Sequence, residues 1–234
     1  MDMQRIISKH QHTDGLIALF PQHQMSGDIS YDFGPYQGHG TLHNCLSRHD
    51  DHTVSKGHFM NATGYSYKAS SYNNILTPEL IASFDGNCGS AIVFCKTSVW
   101  GNFMEQWALR LESSDGHEIE FSKRVNPGDF RIRYDPGSGH SQIVYPGTND
   151  WFSVGMSWNN EAADDDPADE CLIYLNGVRE DRLVTFPLWT GDLELAIIGA
   201  ETAEPAGTWD GSLGIVALYN VVLTEAQMLY LSKP

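Results

Sequence analysis

The segment Leu213-Gly-Ile-Val-Ala-Leu-Tyr219 constrains the fold more than any other part of the chain. In an extended strand Leu213, Ile215 and Ala217 fall on one side, and Val216 and Leu218 on the other. A strand apolar on both faces needs cover on both, which predicts a place inside a layered β structure. Its continuation is equally legible. Thr224 three residues before Gln227 reads as a capping box, with Leu223 and Met228 placed as a hydrophobic staple. The sequence therefore closes on a buried strand and a short capped helix.

Upstream, period-two patterns repeat between turn signals. Gly15–Phe20 reads as the first strand, and Ala91–Lys96 as a short apolar one. Trp107, Leu109 and Leu111 alternate with Arg110 and Glu112, which predicts an amphipathic strand with Trp107 inward. Asp115-Gly116 suits a two-residue turn, and Ile119 and Phe121 return as the second arm of a hairpin. Phe130, Ile132 and Tyr134 alternate with Arg131 and Arg133, and Phe152 to Trp158 repeat the pattern. Leu172–Leu175 meets Asn176-Gly177, a strong hairpin signal, and Leu193–Ile198 is the last strand before the terminal one. Residues 44–75 are irregular, with Asn61–Tyr67 read as a strand edge, and residues 1–14 read as a polar lead-in. Many short strands with regular turns predict an all-β, two-sheet antiparallel jelly-roll sandwich with a short C-terminal helix. At 234 residues the chain suits a single such domain over 1–234.

Fourteen basic against thirty acidic residues leave a net charge of −16, the wrong sign for nucleic acid or an anionic membrane. No apolar run reaches the roughly 20 residues of a membrane span. The start lacks the apolar core of a secretory signal, so synthesis in the cytoplasm is expected. The four cysteines have no CxxC spacing and read as mostly reduced, Cys171 as a small buried strand residue; a Cys88–Cys95 bridge stays open.

Trp209-Asp-Gly211 leading into an apolar strand, then Tyr219-Asn220, Leu223-Thr224 and a short helix, resembles the end of a laminin-G-like, concanavalin A-like domain. The first strand followed by Asp32-x-Gly34 and Gly38-His-Gly-Thr-Leu42 resembles the opening of such domains. The pieces between keep the family's order from Gly15 to Leu231. The resemblance implies a binding module for carbohydrate, with the first and last strands paired. Free-standing modules of this kind occur in phage particles, so a structural or decoration protein of a virion, partnered by other virion proteins at its surface, is the alternative. A laminarinase-like glycan-cleaving enzyme is the third reading.

Candidate chemistry is sparse. Glu118-Ile-Glu120 and Asp192-Leu-Glu194 place two carboxylates on a strand where the laminarinase-like motif carries three, and both pairs read as solvated strand faces. The expectation is therefore a chain that is not an enzyme. His10-Gln-His12 and His49-Asp-Asp-His52 read as exposed loop histidines ahead of a transition-metal site. The acidic run 161–170 reads as a self-repelling loop, without the oxygen spacing of an EF-hand. Trp107, Trp151 and Trp158 belong to strand patterns and match core positions of the resembled family. Trp100 and Trp189 sit in loop-like sequence, where a ring either stacks on sugar C–H faces or plugs a loop onto the sandwich. Tyr72 and His140 are weaker candidates for the same carbohydrate contact. For metal, pairing of the first and last strands would bring Asp32 beside Asp210, and the resemblance implies calcium at that rim. The alternative is that Asp32 closes an Asx-turn and Asp210 a tight corner.

Overall fold

In a computed structural model of the chain, two antiparallel sheets enclose one apolar core. The structure describes residues 3–22, 29–43, 59–60, 72–97, 105–124, 129–134, 141–144, 146–147, 150–160, 170–183, 188–202, 207–209 and 211–233. The strands run β1 (Leu16–Pro21), β2 (Ile29–Ser30), β3 (Gly40–His43), β4 (Phe59–Met60), β5 (Tyr72–Asn74), β6 (Cys88–Thr97), β7 (Gln106–Ser113) and β8 (Glu118–Lys123). They continue as β9 (Phe130–Tyr134), β10 (Ser141–Val144), β11 (Phe152–Asn159), β12 (Glu170–Leu175), β13 (Val178–Leu183), β14 (Leu193–Ile198) and β15 (Gly211–Tyr219). Among the described residues three short helices accompany them: α1 (Met3–Gln11), α2 (Pro78–Ser83) and α3 (Glu225–Leu231). The first sheet has the order β1-β15-β6-β11-β12-β13, with β4 also on β15; the second is β10-β9-β8-β7-β14-β5-β3-β2. This is the antiparallel sandwich that the periodicity predicts.

The expected pairing of first and last strands is present, with Leu19 opposite Ala217 and Phe20 opposite Val216. Asn176 and Gly177 both take positive φ, as a two-residue turn matching strand twist requires. Between the sheets Leu109, Phe121, Ile132 and Tyr134 meet Val154, Met156 and Trp158, all buried. Cys88, Cys95 and Cys171 are not bridged to one another, and Cys95 and Cys171 are fully buried.

Two β-bulges change the sidedness that strict alternation implies. On β7 Trp107 opposes Ser122 and Leu109 opposes Phe121, so Ala108 is an extra residue. Ala108 and Leu109 both enter the core, and Trp107, expected inward, turns to the outer face. On β15 the register against β6 slips between Leu213 and Val216, which puts Leu213 in the inter-sheet core with Val216 and Leu218 rather than with Ile215 and Ala217. One extra residue inverts everything on one side of it.

The lead-in is also more than a polar arm. It forms α1, whose Ile6, Ile7 and His10 are buried against the outer face of the first sheet, beside Phe94 and Tyr219. α3 covers the same face through Met228 and Leu231. Its capping box is formed as expected: Gln227 N donates to Thr224 Oγ1 (3.3 Å) and Thr224 N to Gln227 Oε1 (2.9 Å). α2 starts the same way, with Leu80 N donating to Thr77 Oγ1 and proline in its first turn.

Candidate functional site

The outer face of the second sheet carries the chemistry. Consecutive strands β7, β8 and β9 send Leu109, Phe121 and Ile132 inward, so Arg110, Glu118, Glu120, Arg131 and Arg133 must point outward. Register makes them neighbours, with Arg110 opposite Glu120 and Glu120 opposite Arg133. Each guanidinium then holds more than one carboxylate. Arg110 reaches Glu118 (2.8 Å) and Glu112 (3.0 Å); Arg131 reaches Glu105 (2.7 Å) and Glu120 (3.0 Å); Arg133 reaches Glu118 (2.9 Å) and Glu120 (3.3 Å). Trp107, turned outward by the bulge, donates its indole N–H to Glu120 Oε1 (2.9 Å).

These groups are not a solvated strand face. Glu120 is 2% exposed and Arg110 9% exposed. Burial, and then the nearby Glu120 charge, push the Glu118 carboxyl above its usual range, against the pull of Arg110 and Arg133. The Nε atoms of Arg110 and Arg131 are buried without a hydrogen-bond partner.

The same face continues across β14, β5 and β3 with different chemistry. Ile197 opposes both Arg110 on β7 and Asn74 on β5, and it clusters with Tyr72 and Ala200. Tyr72 opposes His43, and the two rings stack with centroids 4.4 Å apart and planes 13° apart. Beyond β2, Tyr31 and His39 meet edge to face at 5.2 Å. One face thus carries an ionic half and an apolar–aromatic half.

Of the residues singled out from sequence for carbohydrate contact, Tyr72 lies on this face, with one side of its ring taken by His43. Trp189 does not. It is 6% exposed within the inter-sheet core, against Phe84 and Tyr134, and its backbone is pinned at both N and O by Asn87. A Cβ on Gly86 would come within 2.0 Å of its ring. That is the geometry of a plug, because the ring faces are filled by protein. Trp100 and His140 lie outside the described residues, as do Asp210 and nearly all of the acidic run 161–170.

Asp32 is buried, and both its oxygens are engaged. Oδ1 accepts from Leu19 N and Gly34 N (2.7 Å each) and Oδ2 from Gly38 N (3.1 Å). It ties the loop after β2 to β1, the Asx role that sequence offered as the alternative to calcium. Burial raises its carboxyl pKa in spite of these bonds. His10, read as an exposed loop residue, is fully buried, with Nδ1 2.5 Å from the Tyr219 hydroxyl. Among the described residues no group of three or more metal-ligating side chains comes together.

Comparison with known proteins places the fold. No family model matches the sequence, and no curated protein matches it. Solved structures do. Domain 4 of AbnA, a GH43 extracellular arabinanase from Geobacillus stearothermophilus in complex with arabinotriose, matches with a TM-score of 0.62 and 18% identity over 93% of this chain and 98% of that one. A Trypanosoma rangeli sialidase mutant displaying trans-sialidase activity matches at TM-score 0.69 and 13% identity. That match covers 98% of this chain and 37% of the sialidase, so this chain spans little more than a third of its length. The CBM40 of Ruminococcus gnavus IT-sialidase, bound to α2,3-sialyllactose, matches at TM-score 0.52 and 12% identity over 67% of this chain and 88% of that one. The fold is that of β-sandwich domains in carbohydrate-binding and carbohydrate-active proteins.

These matches correct one expectation. The sequence reading sets catalysis aside, yet the fold is shared with chains of a sialidase and of an arabinanase, and that exclusion does not stand. One of its two premises, the solvated strand face, fails as well. Glu120 is buried and Glu118 largely so, and three arginines hold the pair, where a solvated face was expected.

Proposed function

We propose that this chain is a laminin-G-like sandwich that recognises a glycan on the outer face of its second sheet. One observation carries the reading: a partly buried Arg–Glu lattice on β7–β9, centred on Glu120, continues, on the same face, into the Ile197–Tyr72–His43 patch. Buried ion pairs add little stability over apolar packing of the same volume, so a lattice of this extent points to recognition. A sugar offers what both halves take. Its hydroxyls bond carboxylates and guanidiniums, and its C–H faces lie on flat rings. From β9 to β3 the face spans five strand spacings, about 24 Å, room for an oligosaccharide of several residues. Further support comes from the arabinotriose and sialyllactose held by two of the structural neighbours.

The test is calorimetry with arabino-oligosaccharides, sialyllactose and β-gluco-oligosaccharides. Saturable binding is expected with at least one of them, weakened about fivefold or more by Tyr72→Ala, since an aromatic contact contributes roughly 1 kcal/mol beyond its area. No binding across the panel, or binding untouched by both Tyr72→Ala and Glu112→Ala, sinks the reading.

The carboxylate pair favours a second reading, glycan cleavage. Glu118, whose carboxyl burial pushes above its usual range, would be the proton donor, and Glu120, ion-paired to Arg131 and Arg133, the second carboxylate. Release of new reducing ends that disappears in a folded Glu118→Gln variant would establish it. Binding without product release excludes it.

A further inference from the structure

Building on that glycan reading, we infer that the face selects by charge, preferring amine-bearing sugars to neutral ones and neutral ones to acidic ones. The arginines do not offer a free fork to an acidic sugar. Each of Arg110, Arg131 and Arg133 already holds at least two carboxylates within 3.3 Å. An incoming carboxylate would have to displace one of them and leave it buried without its partner.

The groups nearest solvent are acceptors. The side chains of Glu105, Glu112 and Glu201 are 23%, 32% and 36% exposed, against 11%, 15% and 21% for Arg110, Arg131 and Arg133. A ligand descending on the face meets carboxylates first and guanidiniums beneath them. Among the described residues of this lattice five glutamates face three arginines, so acidic side chains outnumber basic ones by two. A sugar ammonium, with three donors and a positive charge, complements this surface, and a hydroxyl does so more weakly.

The experiment uses three β-1,4-linked oligomers of equal length, built from glucosamine, N-acetylglucosamine and glucuronic acid. Calorimetry is run at low and at raised salt. The expected affinity order is amine, then neutral, then acid, with the amine advantage shrinking as salt rises. The Glu112→Gln/Glu201→Gln variant keeps the three arginines paired with Glu118 and Glu120 and should cut the amine advantage about two- to fivefold for each carboxylate removed. Glu180→Gln removes an exposed charge from β13 of the other sheet and should leave the advantage unchanged, which separates the face from the net charge of the chain.

An acidic oligomer that binds as tightly as the neutral one overturns the inference. So does an amine advantage that Glu180→Gln reduces as much as the double variant does. Silence from all three oligomers while arabino-oligosaccharides bind also overturns it and leaves the glycan reading intact. Silence from every glycan removes both.

Discussion

The two sheets have outer faces of opposite character. On the first, α1 and α3 press Ile6, Ile7, Met228 and Leu231 onto Ile92, Phe94 and Ala217, and the face is closed by apolar packing. On the second, the same pleat presents an Arg–Glu lattice and a stacked His43–Tyr72 pair. Both faces bury their groups, but by different physics. Apolar burial is non-directional and strongly stabilising, whereas a buried lattice of charges roughly breaks even and has its main effect in specificity. The first face closes the fold, and the second is the surface with chemistry left to use.

The contrast can be broken most forcefully at Glu120. Glu120→Ala leaves Arg110, Arg131 and Arg133 short of a buried partner and should cost about 3–5 kcal/mol in denaturant unfolding. A loss below about 1 kcal/mol would show that the lattice behaves as exposed ion pairs do. On the opposite face, Met228→Ala should cost about 2–5 kcal/mol through a cavity between α3 and the sheet, where the Met228 sulfur lies 3.3 Å from the position of a Cβ on Gly155. It should leave glycan affinity unaltered.

Acid sharpens the comparison, because the two faces answer it with opposite sign. Burial, and then the Lys9 charge, lower the His10 pKa to about 3, so the unfolded chain binds more protons below its ordinary 6.5. The stability this brings is present above that value and is lost as pH falls: roughly 2 kcal/mol between about pH 7 and 5. Glu118 is raised from 4.5, so its contribution is present below that value and is lost as pH rises through its folded pKa. Stability measured against pH should show a shallower neutral-to-acid slope in His10→Gln and a changed carboxylate-range slope in Glu118→Gln, where Asp32 still contributes. Hydrogen exchange should find α1 the first element to open in acid. The smallest expected effect is at the α3 cap, where Thr224→Ala should cost about 1 kcal/mol and leave the second face untouched.

Much of the scaffold is legible without coordinates. Period two between Asp115-Gly116 and Asn176-Gly177 names the strands and their turns, and Thr224 with Gln227 names the closing helix. The helices α1 and α2 could have been found as well. Ile6, Ile7 and His10 repeat at helical spacing, and Thr77-Pro78 is a helix start. The lattice had a signal too, since Arg110, Glu118-x-Glu120 and Arg131-x-Arg133 share the outward parity of three consecutive strands. Pattern alone cannot tell a solvated charged stripe from a buried one, because alternation reports which residues share a side and not what covers that side.

The sequence by itself determined that this chain is a sandwich, because a short-range rule, apolar residues at every second position between turn residues, is enough to pair strands and enclose a core. What only the tertiary structure decided turns on long-range geometry. One extra residue at Ala108 moved Trp107 to the outer face, and packing against Gly86 turned Trp189 from a candidate platform into a plug. Three backbone donors, two of them from its own loop, occupied Asp32. Register across β7, β8 and β9 made five separately ordinary charged residues into one lattice centred on the buried Arg110 and Glu120, because cross-strand neighbours are chosen by pairing rather than by distance along the chain.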